Sequence, residues 1–449
     1  MKLCILFSSF YQKLTYIPIA YALILNVSWA QYMPLDLLEA NQRVIYQQPE
    51  NILQDSSGKM YGMDISIISN SGTSLFFVPS FRKKIRENIT YNYKLFLTTD
   101  SNYGPRIGSR YERSGNYTGP SKPGDLSILQ SYIYIDLKST KIRLGKFSPW
   151  DNNNRISGII NENYLSPIHG FELQYSFLSL KYTHGNYWLG YSSTNDDVDG
   201  YSRFYATQKI EYSGKYLNIE MGDRVLYAGI NQAFDWRYIV PLDPFILSVF
   251  NFGAPENKDN HAIDMSFAWY VNDNLRISGK LIIDEYQIDA DDRKLDADEY
   301  GYQISVILNT GRPYMRRIAI NHTRTTDYFG IHYGKSVNYE INGIPILSEY
   351  GPQVRRTELI QNYYFKQDRL RGWVSLFRES RGENRILGTP WEIKSEQSEY
   401  ENWTHRVGFE TEILINLYKN YYSYLLFSLD DINGPIWNLS ILYSFNWSQ

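Results

Sequence analysis

The amino-acid sequence predicts a transmembrane, antiparallel, up-and-down β-barrel of about 18 strands, with a short helical segment before it on the periplasmic side. Three observations predict this class. One stretch of the chain alternates apolar and polar side chains on both sides of a tight turn. The same alternation recurs along most of the sequence, and short links between the alternating segments take turns with long ones. Short turns at one end and long loops at the other are typical of bacterial outer-membrane barrels.

The clearest unit of this pattern runs from Ala262 to Asp284 around a polar turn, Asn272-Asp273-Asn274. Successive side chains of a strand point to opposite faces, so the pattern predicts two amphipathic strands. Asn and Asp tolerate the backbone angles of a tight turn, and about ten tilted residues are enough for a strand to cross a bilayer. The apolar face would carry Ile263, Met265, Phe267, Trp269, Val271, Leu275, Ile277, Gly279, Leu281 and Ile283.

About 18 such segments are predicted from residue 61 onward. Their spans are 61–69, 73–82, 88–98, 126–137, 141–148, 170–177, 179–192, 202–212, 216–227, 262–271, 275–284, 300–308, 315–323, 357–366, 372–379, 404–417, 421–429 and 436–447. Short links at 138–140, 213–215, 272–274 and 418–420 take turns with long links at 99–125, 149–169, 228–261, 324–356 and 380–403. An even number of strands places both ends of the barrel in the periplasm.

Residues 1–30 are predicted to be a signal peptide. An apolar run covers residues 14–27, and small residues at Ser28 and Ala30 occupy the positions that a signal peptidase reads, so the mature chain would begin at Gln31. A membrane-anchor helix is the alternative, although the apolar run is short for a span.

Residues 31–60 would form a periplasmic N-terminal segment, either a short helix or a linker, and residues 61–449 would form the barrel. The single cysteine, Cys4, lies in the predicted signal peptide. The mature chain would therefore hold neither disulfides nor cysteine-ligated metals.

Composition fits a barrel in a membrane. Aromatic residues make up 16% of the 449 residues, which suits strands and the aromatic girdles at membrane interfaces. The net charge of −3 gives no indication of a nucleic-acid partner. A soluble β-sandwich also has strands with one apolar face, and it is the alternative that alternation alone does not exclude.

Charged residues collect on one face of the alternating segments, as expected if the other face meets lipid, where a charge costs about 2–4 kcal/mol near mid-membrane. Asp223 is an exception, because it falls in line with apolar residues. Two interpretations of the charged face stay open. Its groups line a polar path or bind an acidic glycan, or they fill the interior and pair with one another. The candidates are Arg143, Arg203, Arg224, Arg276, Lys280 and Asp284.

The middle of the chain resembles the capsule-assembly outer-membrane β-barrel family (Wzi-like). The similarity covers roughly residues 141–289 and rests on weak motifs in a shared order. These are Ile142-Arg143-Leu144-Gly145-Lys146, Ser202-Arg203-Phe204-Tyr205-Ala206, Val225-Leu226-Tyr227-Ala228-Gly229, Tyr238-Ile239-Val240-Pro241-Leu242 and Ser278-Gly279-Lys280-Leu281-Ile282-Ile283-Asp284-Glu285. Gln208-Lys209 and Val240 depart from the family's pattern.

This resemblance implies an 18-stranded barrel with a blocked lumen and a role, without catalysis, in attaching or exporting surface polysaccharide. Lys146, the last residue of the first motif, is also included in the predicted glycan-binding or lumen-lining set. Aromatic residues in the predicted outer links, Trp150, Trp236 and Tyr238, could stack on sugar rings or could form girdle or loop core. Expected partners are outer-membrane lipid, surface polysaccharide and the outer-membrane assembly machinery, because segment 436–447 resembles the C-terminal strand that directs barrel insertion.

The sequence shows no catalytic constellation, since no histidine pair has zincin spacing and no serine stands in a nucleophile elbow. No cofactor is predicted. An acidic stretch from Asp284 to Glu299 is interpreted as a solvated loop, because Lys294 stands where a calcium loop has glycine. Three hypotheses remain: a polysaccharide-binding barrel, a diffusion porin, and a barrel enzyme with a Ser–His pair on the outer rim.

Overall fold

A computed structural model describes residues 59–69, 73–98, 126–147, 168–191, 202–229, 235–239, 245, 259–285, 299–310, 315–327, 329–330, 339–341, 344–348, 350–365, 370–382, 403–418, 421–430 and 434–448. The predicted signal peptide, and the predicted periplasmic segment up to residue 58, lie outside this part of the chain. Within these ranges no helix is long and apolar enough to cross a membrane.

The described chain is almost entirely β-strand, as the alternation predicts. The strands are β1 (Lys59–Ser69), β2 (Thr73–Arg86), β3 (Ile89–Thr98), β4 (Leu126–Leu137), β5 (Thr140–Phe147), β6 (Ile168–Phe177), β7 (Leu180–Tyr191), β8 (Ser202–Ser213), β9 (Leu217–Gly229), β10 (Asp259–Tyr270), β11 (Leu275–Glu285), β12 (Glu299–Asn309), β13 (Met315–Thr325), β14 (Glu340–Ile341), β15 (Ile344–Pro345), β16 (Val354–Phe365), β17 (Leu370–Gly382), β18 (Trp403–Tyr418), β19 (Tyr421–Asp430) and β20 (Gly434–Ser448).

One antiparallel sheet of 18 strands contains every strand except β14 and β15, which form a small hairpin of their own. Each strand of the large sheet pairs with the next one along the chain, and β13 pairs with β16 across the hairpin. The first strand also pairs with the last, from Met60 opposite Ser448 to Ser69 opposite Leu439. Each strand therefore has two neighbours, and the sheet closes on itself as an up-and-down barrel.

The two faces of the wall have opposite character. In β10, Asp264 is 1% exposed whereas its neighbour Met265 is 49% exposed. Apolar side chains stand exposed on the outward face, among them Leu144, Ile210, Met221, Ile263, Phe267, Trp269, Ile304, Val306, Leu308, Ile320, Leu359, Leu376 and Val407. Charged side chains are buried on the inward face, among them Arg143, Glu172, Arg203, Lys209, Glu220, Arg224, Asp264, Asp284, Glu358 and Glu379.

This arrangement decides between the two predicted fold classes. A sandwich buries its apolar faces against each other, but here the apolar side chains point out and the charged ones point in. Such a surface is stable where the surroundings are hydrocarbon. The predicted transmembrane antiparallel barrel is confirmed, and the soluble sandwich is excluded.

Candidate functional site

The inward face of β5, β6 and β7 holds a buried ionic contact. Arg143 Nη2 donates to Glu172 Oε1 at 2.6 Å, and both side chains are buried. The hydroxyl of Tyr187 donates to the other carboxylate oxygen of Glu172. The three neighbouring strands each bring one of these residues to the inward face, where Arg143, Glu172 and Tyr187 meet. Glu172 is thus neutralised by its own neighbours.

A second buried contact lies on β8, β9 and β10. Arg224, which is fully buried, donates from Nε to Asp264 Oδ1 at 2.7 Å and from Nη1 to the Tyr205 hydroxyl at 2.6 Å. Gly222 makes room for this pair, since a Cβ atom at that position would overlap the Asp264 carboxylate. The close approach explains why a residue without a side chain stands there.

A third ionic cluster lies on the inward face of β16, β17 and β18. Glu379 is fully buried and accepts from three cations, with Arg356 Nη1 at 3.1 Å, Arg406 Nη2 at 2.9 Å and Arg381 Nε at 3.3 Å. Arg356 also lies 3.3 Å from Glu358. These three clusters favour an interior that pairs its own charges.

On the long-link side of the Arg143–Glu172 and Arg224–Asp264 pairs, the inward face is rich in apolar and aromatic side chains. Strands β4 to β11 each contribute to one core, through Tyr132, Phe147, Ile168, Tyr187, Leu189, Tyr205, Leu226, Ala262 and Ile282. Four residues of the β13–β16 link complete this core from inside the barrel: Phe329, Tyr339, Ile346 and Leu347. These described parts of the link therefore lie in the lumen, and we call residues 329–330, 339–341 and 344–348 the inserted link.

Tyr339 fixes the inserted link to the wall. Its ring is fully buried and meets the Tyr205 ring edge-on, with centroids 6.4 Å apart. Its hydroxyl lies 2.8 Å from the backbone carbonyl of Asn260 and 3.2 Å from that of Arg224. Burial raises the pKa of the Tyr339 phenol well above its usual value, so the hydroxyl stays protonated and can donate. The backbone N–H of Gly330 donates to Asp284 at 2.8 Å, which gives the link a second attachment.

The described residues of the β9–β10 link, 235–239 and 245, lie on the outside of the wall. Tyr238 and Phe245 pack on the outward side chains Phe204, Val225 and Tyr227, which form one buried cluster with them. Burial raises the pKa of the Tyr238 phenol, whose hydroxyl donates to Asp259 at 2.7 Å. This part of the outward face is covered by protein.

That cover explains polar residues that a lipid-facing row would exclude. Asn186 lies buried under the link, where its Nδ2 donates to the Tyr227 hydroxyl at 3.0 Å. The predicted exception Asp223 is half-buried on the same outward face, directly below Val225 in β9.

The predicted site residues divide into groups. Arg143, Arg203, Arg224, Arg276, Lys280 and Asp284 all lie on the inward face, on β5, β8, β9 and β11. They do not form one site, because Arg143 is bound to Glu172 and Arg224 is bound to Asp264. Trp150 lies outside the described residues, and the structure describes only the backbone of Trp236.

Two of the predicted glycan-binding or lumen-lining residues do not face the lumen. Lys146 lies on the outward face two residues beyond Leu144, and its Nζ donates to the backbone carbonyl of Ile128 at 2.8 Å. Lys146 and Arg143 are three residues apart in β5 and therefore lie on different faces of the strand, so the prediction that Lys146 lines the lumen was wrong. Tyr238 is also on the outside of the wall, and at 0% exposure its ring has no free face for a sugar. Of the two interpretations of Tyr238, loop core is the one that fits.

The barrel-enzyme hypothesis requires a hydrogen-bonded Ser–His pair on the outer rim, and such a pair exists. Ser380 Oγ and His405 Nδ1 are 2.8 Å apart on the outward face of β17 and β18, near the long links. His322 and Thr357 repeat the arrangement at 2.9 Å. A nucleophile and base also need a third group that orients the base, and no described carboxylate or amide bonds to His405. Both pairs fit ordinary cross-strand contacts between neighbours.

No metal site is visible where the structure is described: no three His, Cys, Asp or Glu residues there are grouped to hold an ion. The acidic stretch at 286–298 lies outside the described residues.

Several contributors to the interior were not predicted. Glu172 and Asp264 fall on the charged face of predicted strands, so the same alternation could have found them. Phe329 and Tyr339 belong to a link without periodicity, and no sequence signal indicates that they enter the lumen.

No protein-family model matches the sequence, and no curated protein matches it. Solved structures do match. Wzi of Escherichia coli, described as an outer membrane protein involved in group 1 capsule assembly and as a carbohydrate-binding β-barrel, aligns with a TM-score of 0.59 at 10% identity, over 92% of this chain and 89% of that one. The fold is that of an outer-membrane β-barrel.

Two further structures share this architecture at a lower score. OccD3 (OpdP) of Pseudomonas aeruginosa aligns with a TM-score of 0.50 at 10% identity, over 87% of this chain and 91% of that one. OccAB4 of Acinetobacter baumannii aligns with a TM-score of 0.50 at 9% identity, over 88% and 99%. At such identities the likeness concerns the fold alone.

Proposed function

We propose that this chain is a non-enzymatic, Wzi-like outer-membrane barrel that binds surface polysaccharide, or helps to attach or assemble it. The observation that carries the proposal is the inserted link. A barrel that serves diffusion needs an open lumen, whereas here a link packs Tyr339 and its neighbours against the inner wall of β8 to β11.

The state of the interior charges agrees with this role. Arg143, Arg224 and Arg356 are bound to carboxylates of the wall. Cations that are already neutralised contribute little attraction to a passing solute. The ligand would therefore be held at the mouth of the barrel, and a solute path through its middle is not required.

The overlap with Wzi supports the choice of ligand class. Wzi is described as carbohydrate-binding, and the motifs at residues 141–289 resemble its family. One departure falls on the wall itself, because Gln208 lies buried on the outward face of β8, where no lumen ligand can reach it. The proposed binding therefore involves no contact between Gln208 and a ligand in the lumen.

Two measurements test the proposal. Purified barrel in planar bilayers should give little single-channel current, and cells that express it should retain more surface polysaccharide than a deletion strain. An inactive reference for both assays is a strain with the empty vector. Stable, large conductance together with unchanged surface polysaccharide in the deletion strain would favour a diffusion porin and overturn the proposal.

A further inference from the structure

The outward face of β13, β16 and β17 carries three arginines near the long links. Arg355 and Arg378 are exposed, and Arg324 is half-buried. In each strand the residues before and after the arginine are buried on the inward face, so all three arginine side chains point away from the lumen. We call these three residues the outer arginine cluster.

The register of the strands brings these charges together. Arg324 and Arg355 are direct cross-strand partners, a relation in which Cβ atoms lie about 4.5–5.5 Å apart. Arg378 is the partner of Thr357, two residues from Arg355, and is thus the diagonal neighbour of Arg355 at about 7–8 Å. Like charges in such positions repel each other. A bound anion would relieve this repulsion.

That anion does not come from the described protein. On the outward face of β13, β16, β17 and β18 the described side chains include no Asp or Glu, and the three arginines form no ion pair in this part of the structure. The inward face of the same strands shows the opposite arrangement, since Glu379 there accepts from three arginines. In the described parts of these strands, acidic residues balance the arginines of the inward face but not those of the outward face.

The height of the cluster on the wall indicates its surroundings. The apolar row that begins two to four residues deeper contains Ile320, Leu359 and Leu376, all of them exposed. Above that row, the guanidinium of Arg355 lies 5.2 Å from the ring centroid of Trp403. Tryptophan is typical of the level where hydrocarbon meets headgroups. The cluster thus stands at headgroup height on the side of the long links.

We propose that the outer arginine cluster binds the phosphates of a phosphorylated glycolipid in the outer leaflet, whose acyl chains cover the apolar row below. Guanidinium groups bind phosphate through paired N–H donors, and several together hold a headgroup that carries more than one phosphate. This surface lies on the outward face of the wall, whereas the inserted link lies inside it, and the proposed lipid binding does not depend on the proposed polysaccharide role.

Native mass spectrometry of the full-length, detergent-purified barrel tests the proposal, with lipid A as the probe. The variant R324Q/R355Q/R378Q should retain lipid A at least about tenfold less than the wild type, because it loses charge-assisted contacts. The matched control K83Q/K84Q/K215Q removes the same charge from exposed positions at the short-turn end and should bind as the wild type does.

Two additional measurements keep folding separate from binding. The heat-dependent gel shift of folded barrels reports whether each variant is folded, and R324K/R355K/R378K should recover part of the retention because it keeps the charges. Equal retention by the folded glutamine variant would overturn the proposal. So would equal retention of dephosphorylated lipid A, or displacement of lipid A by inorganic phosphate, which would indicate a site for free anions.

Discussion

Arg224 and Asp264 are both removed from solvent inside the wall, and each is a charge that the interior tolerates only because of the other. Removal of one partner of a buried pair leaves the remaining charge uncompensated. Asp264→Ala should therefore lower the free energy of unfolding by about 3–5 kcal/mol, measured by denaturant titration in detergent. Asp273→Ala, in an exposed turn, should change it little. The double variant Arg224→Met/Asp264→Leu should recover stability. A double variant with a lower free energy of unfolding than Asp264→Ala would contradict this account.

Gly222 is coupled to the same pair. A methyl group at position 222 would overlap the Asp264 carboxylate, so Gly222→Ala should destabilise the wild type by about 1–3 kcal/mol. In the Asp264→Ala background the same change should cost much less, because the obstructing carboxylate is gone. A double-mutant cycle measures this coupling, and strictly additive effects would show that the two residues do not meet.

Ser380 and His405 provide a residue-level test of the non-enzymatic proposal. Since their hydrogen bond lacks a third orienting group among the described residues, Ser380→Ala should leave ester hydrolysis by the purified barrel unchanged from the background level. The measurement is fatty-acid release from phospholipid micelles. Hydrolysis by the wild type that disappears in Ser380→Ala would identify an enzyme.

At this scale, alternation predicts which face a side chain occupies but not which partner it finds. The inward positions of Arg143, Arg224 and Asp284 follow from their parity within a strand. Their partners depend on the register between strands, and in the case of Asp284 on a link that enters the lumen. Lys146 shows the limit of a family motif, because the motif includes a position that alternation places outside.

Strands and links differ in how far sequence determines them. The strands were predictable because each must present one face to lipid and the other to the interior. In the sequence this requirement produces an alternation of apolar and polar residues with a period of two. Links carry no such requirement. The two links that matter most here fold in opposite directions, with Tyr339 inside the wall and Tyr238 outside it.

The inserted link supplies a prediction at the level of elements. Tyr339→Ala removes the ring that packs on Tyr205 and the hydroxyl that reaches two backbone carbonyls. The link should then detach, and single-channel conductance in planar bilayers should rise severalfold. Tyr339→Phe keeps the ring and should change conductance much less. Identical conductance in the wild type and Tyr339→Ala would mean that this link does not limit the lumen.

The whole barrel depends on lipid meeting its apolar face. Met265 is exposed in the middle of β10, so Met265→Arg should destabilise the folded barrel by about 2–4 kcal/mol. Leu217→Arg, on the same outward face but at the short-turn end of β9, should cost about 0–1 kcal/mol. Unfolding titrations in lipid vesicles measure both. Equal costs at the two positions would mean that the middle of β10 is not within the hydrocarbon.

The pairing of β1 with β20 has a consequence for biogenesis. These two strands come from opposite ends of the barrel sequence, so the seam between them is the contact most distant along the chain. Synthesis and export must be finished before the ring can be sealed, and until then two rows of backbone N–H and C=O groups lack partners. Sheet edges without partners are not stable in hydrocarbon. Loss of the final strand alone would therefore leave the protein unable to complete its insertion.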